Sequence, residues 1–85
     1  MIVGDFMDAT KVFDQTDLTD AYALAIVKEV ITILEKRGYN PINQIVGYLM
    51  SGDLGYITSY EDARGKISSI DRSKILEVLV KEITK

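Results

Sequence analysis

The stretch Asp17–Arg37, DLTDAYALAIVKEVITILEKR, decides the fold. Stepped around a helical wheel, Tyr22, Ile33, Ile26, Val30, Ala23, Leu34, Val27, Ile31 and Leu24 sweep an arc of roughly 200°, about twice the stripe of a one-sided surface helix. Only Asp20, Thr19 and Arg37 interrupt the arc, all near its ends. The pattern predicts one long helix that buries two faces. Thr16 or Asp17 is placed to cap it, and Asp20 brings negative charge to the positive end of the helix dipole. Lys36 and Arg37 fall in the last turn, and Gly38 supplies the left-handed stop. In a chain of 85 residues, the simplest arrangement sets one face against the chain's own helices and the other against a second copy. Tyr22, Ile26, Val30, Ile33 and, from the next helix, Tyr48 are accordingly candidate interface residues.

Working outward, Tyr39-Asn40-Pro41 is a tight connection. Asn40 suits an N-cap, and Pro41 suits the first helical position, where its missing N–H costs nothing. A second helix is predicted over Pro41–Met50, with Ile42, Ile45, Val46 and Leu49 on one face and Ser51-Gly52-Asp53 ending it. Leu54 to Thr58 is a connector. Thr58 with Glu61, or Ser59 with Asp62, has the capping-box spacing for a third helix over about Tyr60–Ser69, with Ala63, Ile67 and Ile70 inward. Asp71 or Ser73 then caps a fourth helix to about Thr84. Its apolar set of Ile75, Leu76, Val78, Leu79, Val80 and Ile83 is wide for so short an element. On the N-terminal side, residues 1–16 show neither a helical nor a strand period and read as a flexible arm, although Val12 and Phe13 are able to dock on the body. The expectation is an all-α, compact bundle of about four helices over residues 17–85, one domain, preceded by that arm.

Composition narrows the function. A domain this small buries only about 60–65% of its unfolded surface and usually needs a disulfide, a metal or a partner subunit. There is no Cys and no His, so disulfides, thiolate metal sites and the commonest general base are absent, and oligomerisation remains. No cofactor is expected. No run of 18 apolar residues and no basic-then-apolar N-terminus is present, which points to the cytoplasm. The net charge is −3. Residues 1–26 hold five aspartates against Lys11, a local −4, and the remainder sums to +1. Nothing forms the basic stripe that tracks phosphate backbones, so nucleic acid is not an expected partner.

No catalytic arrangement emerges. Serine and cysteine triads lack their base, no phosphate-binding glycine loop is present, and Asp5, Asp8 and Asp14 lack the spacing of a calcium loop. Glu61 and Asp62 point to different helix faces. The amides of Asn40, Asn43 and Gln44 have the chemistry to read adenine edges, but capping and loop hydrogen bonds account for them more simply. Tyr39, Tyr48, Tyr56 and Tyr60 suit a core or an interface better than a ligand pocket. Arg64 and Lys66 on the third helix are the basis of an alternative, a small helix-turn-helix-like DNA-binding protein, which the acidic balance and the adjoining Glu61 and Asp62 oppose. Thr10, in the arm between Asp8 and Lys11, is with Thr16 one of two arm hydroxyls open to modification.

The run Glu35–Asp53, EKRGYNPINQIVGYLMSGD, is similar to the most characteristic stretch of the IreB family, small regulatory phosphoproteins of low-GC Gram-positive bacteria. The similarity continues through Tyr56-Ile57, Asp62-Ala63-Arg64, Asp71 and Ile75 to Val80, covering about residues 22–83, with a weaker match in the arm. The resemblance implies a non-enzymatic helical homodimer that is the substrate of a membrane Ser/Thr kinase with PASTA repeats. It also implies a part in cell-wall stress and cephalosporin-resistance signalling, through a downstream protein that the sequence does not identify. The family's arm pattern T-D-E-T-x-x-F falls on Met7 to Phe13, so the resemblance implies phosphorylation at Thr10, with Met7 where a first acceptor would stand. The connector departs too, with Leu54 and Thr58 replacing two family prolines.

Overall fold

The computed structural model describes residues 15–85, and the expectations for residues 1–14, including Thr10, Val12 and Phe13, lie outside them. Four α-helices follow in order: α1 Gln15–Lys36, α2 Pro41–Ser51, α3 Ala63–Ser68 and α4 Arg72–Ile83. Two 3-10 turns, Leu54–Tyr56 and Tyr60–Asp62, lie between α2 and α3. No strand occurs among the described residues, and the all-α expectation holds. Helix α1 begins at Gln15, so Thr16 and Asp17 fall inside its first turn rather than capping it.

Local chemistry explains the boundaries of α1 and α2. At the end of α1, Gly38 takes φ +82°. Its N–H donates to the Glu35 carbonyl at 3.1 Å, while the Tyr39 N–H donates to that of Leu34 at 3.0 Å. This is the Schellman pattern, which satisfies carbonyls the helix leaves open. Asn40 then caps α2, its Oδ1 accepting from the Asn43 N–H at 3.1 Å, with Pro41 next in line. Gly52 ends α2 at φ +74°. There the Arg72 guanidinium lies against Gly52 and donates to the Leu49 carbonyl at 3.0 Å. Gly38→Ala, with open space around it, is expected to cost about 1 kcal/mol for the left-handed backbone alone. Gly52→Ala adds the displacement of Arg72 and is expected to cost more; paired urea melts check the order.

Entry to α3 differs from the capping box expected there. Ser59 makes no side-chain cap, and the Thr58 Oγ1 accepts from the Tyr60 N–H at 3.3 Å. Glu61 and Asp62 both take positive φ, +54° and +57°, so neither reaches back as a box requires. Two contacts hold this uncommon backbone. Lys66 donates to the Glu61 carbonyl at 2.8 Å, and Arg64 Nε donates to the Ile57 carbonyl at 2.7 Å. Ile57 itself is fully buried, which pins the connector to the core.

The core is built on α1. Ala23, Ile26, Val27, Val30, Ile33 and Leu34 are all buried, against Ile45 and Tyr48 of α2, Ile57, Ala63 and Ile67 of the connector and α3, Ile70, and Ile75 and Val78 of α4. Helix α1 packs against α2, α3 and α4, so three elements of the same chain cover most of the wide apolar arc, while Tyr22 stays exposed and Leu24 and Ile31 half-buried.

Candidate functional site

Four of the five candidate interface residues are interior. Ile26, Val30, Ile33 and Tyr48 are between 0% and 8% exposed, because α2, α3 and α4 wrap around them. Tyr22 alone is on the surface, 55% exposed, beside Thr19, Ser69, Ile70, Asp71 and Lys74. The apolar surface left open lies instead on α2 and α4. Ile42, Val46 and Met50, one turn apart along α2, are exposed, so the face on which the sequence groups Ile42, Ile45, Val46 and Leu49 is only partly buried. Only Ile45 and Tyr48 of that helix are buried. Leu76, Val80 and Ile83 form a second exposed row on α4. Between α1, α2 and α4 runs a groove of about 370 Å³, lined by Val27, Ile31, Glu35, Pro41, Ile42, Ile45, Val46 and Leu79. Seven of these eight residues are apolar. The sequence carries one signal of this surface, the apolar set of α4, too wide for a helix that buries one side.

Ion pairs fix α4 to α1. Asp20, mostly buried, holds Lys74 through Oδ1 and Lys81 through Oδ2, the latter at 2.7 Å. Glu77 joins both lysines, at 3.4 and 2.8 Å. The Lys74 and Lys81 ammonium groups hold the Asp20 carboxyl below its ordinary 3.8. In return, Asp20 and then Glu77 raise Lys81 well above 10.5. A depressed carboxyl stabilises the fold above its unfolded value, and that contribution is lost as pH falls through the folded value. A raised lysine contributes below its unfolded value and loses the contribution at high pH. Melting temperature is therefore expected to fall on going from pH 5 to pH 3, and to fall less in Asp20→Asn; calorimetry across that range checks it.

Lys36, Arg37, Arg64 and Lys66 are engaged within the chain. Lys36 pairs with Glu61 at 3.2 Å, and Arg37 stacks 3.4 Å from the Tyr60 ring centroid. Lys66 pairs with Glu29 at 2.7 Å, tying α3 to α1, and Arg64 is turned to the Ile57 carbonyl. The α3 side chains that would meet DNA phosphates thus already have partners within the chain. The amides behave structurally as well: Asn40 caps α2, and Gln44 Nε2 donates to the Tyr56 carbonyl at 2.9 Å. Of the tyrosines, Tyr48 is core, while Tyr39, Tyr56 and Tyr60 are exposed.

Among the described residues, no group of histidine, cysteine or acidic side chains is arranged to hold a metal, and no helix is long and apolar enough to cross a membrane. What the geometry offers is a small helical body with one open apolar face on α2 and α4. The family model of the IreB regulatory phosphoprotein matches residues 8–85, which takes in this body together with Thr10. The match reaches further at both ends than the similarity over residues 22–83, and the chain belongs to the IreB family of regulatory phosphoproteins.

Proposed function

We propose that this chain is a non-enzymatic, cytoplasmic signalling protein phosphorylated at Thr10 by a membrane Ser/Thr kinase with PASTA repeats. Its role is in cell-wall stress and cephalosporin-resistance signalling, exerted on a downstream protein. The observation that carries the reading is the family match over residues 8–85, which includes Thr10 and leaves Met7 outside. The open face of α2 and α4 supports a homodimer, since a chain this small gains stability by covering such a surface. Phosphate on Thr10 adds roughly −1.5 to −2 charges to an arm that is already acidic. The two basic pairs nearest in character to a phosphate acceptor, Lys36 with Arg37 and Lys74 with Arg72, already have partners within the chain. The charged arm is therefore read by a partner protein rather than by this surface.

Incubation of the chain with the cognate kinase domain and ATP is expected to add one phosphate by intact mass, and Thr10→Ala is expected to abolish the addition. Two phosphates, or one that survives Thr10→Ala, would move the acceptor elsewhere. No added mass would remove the kinase from the reading.

A further inference from the structure

The groove between α1, α2 and α4 has no cover among the described residues: Ile42 is 72% exposed and Val46 48%. We infer that the chain's own segment Ile2-Val3-Gly4-Asp5-Phe6-Met7 docks there in cis, with Phe6 and Met7 as anchors, in competition with a second copy. The competition clause rests on the homodimer reading above; the docking does not.

Composition is the first argument. Both phenylalanines of the chain, Phe6 and Phe13, and two of its three methionines, Met1 and Met7, fall in residues 1–14. A tail that stays in water is poor in aromatic and large apolar residues. This one carries the side chains that fill apolar grooves.

Reach is the second. A helix rises about 1.5 Å per residue, so Val27 and Ile31 lie about 18 and 24 Å along α1 from Gln15. Extended chain covers about 3.3 Å per residue, so Phe6 spans about 30 Å and Met7 about 26 Å back from Gln15. Both reach the Val27–Ile31 stretch with slack for the reversal. Val12 and Phe13, within about 10 Å of Gln15, fall short of it.

Charge and tethering complete the case. Asp5 and Asp8 flank the two anchors. Lys28, exposed on α1 beside Val27 at the margin of the groove rather than in its lining, makes no ion pair among the described residues and is the cation they would meet. Glu35 lines the far end of the groove, about 30 Å along α1 from Gln15, beyond the roughly 23 Å that Asp8 spans but within the roughly 33 Å that Asp5 does. A short tether gives an effective concentration on the order of millimolar, which a free second copy seldom matches.

The test uses the full chain and a Phe6→Asp, Met7→Asp double variant. At a concentration where both are monomeric, the methyl resonances of Ile42, Val46 and Leu79 are expected to move in the variant. A synthetic peptide of residues 1–14 is expected to move them back, and to bind the wild-type chain at least tenfold more weakly. Light scattering is expected to show at least tenfold tighter dimerisation of the variant. Methyls that ignore the substitution and the peptide, with equal dimerisation of the two chains, overturn the docking and leave the dimer standing. Responsive methyls in chains that never dimerise sustain the docking and overturn the dimer.

Discussion

Leu34→Ala is expected to cost about 3 kcal/mol and to lower the melting temperature by on the order of 15 °C. Leu34 is fully buried near the end of α1, inside the single cluster that all four helices share. Removing its isobutyl group forfeits the transfer energy of those atoms and leaves a cavity whose walls come from several helices. Domains of this size have only about 5–15 kcal/mol in hand, so this one change removes a large part of it. Ile75→Val, at an equally buried site, deletes one methylene and is expected to cost about 1 kcal/mol. Thermal melts followed by circular dichroism at low protein concentration give both values. A cost under 1 kcal/mol for Leu34→Ala would show that the helices close around the gap.

The second large effect concerns association rather than stability. Ile42→Asp with Val46→Asp is expected to weaken the proposed dimer at least 100-fold, about 2.7 kcal/mol. The melting temperature of the dilute chain should change little, because both side chains face solvent. A carboxylate forced into an apolar interface loses its hydration without gaining a partner, which is the source of the effect. Tyr22→Asp is the counterpart, since Tyr22 is the one exposed member of the interface set suggested by the wheel of α1. Sedimentation equilibrium on the two variants separates the cases. Loss of dimer in Tyr22→Asp alone would place the interface on the N-terminal half of α1 and clear the α2 and α4 face.

How far the sequence carries can be seen residue by residue. The end of α1 at Gly38, the Asn40 cap, Pro41 and the Gly52 stop were all legible, because each depends on backbone chemistry within a few residues. The inward set Ala63, Ile67 and Ile70 followed from spacing and is buried as expected. The entry to α3 was not legible. Capping-box spacing ignores Arg64 and Lys66, which hold the Ile57 and Glu61 carbonyls and fit the chain to two successive left-handed residues. The arc on α1 showed how much surface needs covering but not what covers it, since periodicity measures area and carries no address. That is why Ile26, Val30 and Ile33 read as interface and prove to be interior, while exposed apolar rows lie on α2 and α4.

The clasp of Asp20 on Lys81 joins residues 61 positions apart, the second turn of α1 to the last turn of α4. During synthesis, α1 leaves the ribosome with its apolar arc bare, and α4, which packs against it, is made only after α2 and α3. Long-range closure of this kind delays folding until α4 has been made. A nascent chain halted before Lys74 would therefore display α1 to chaperones and proteases. Ribosome-stalled chains of increasing length should become protease-resistant only once α4 has cleared the exit tunnel.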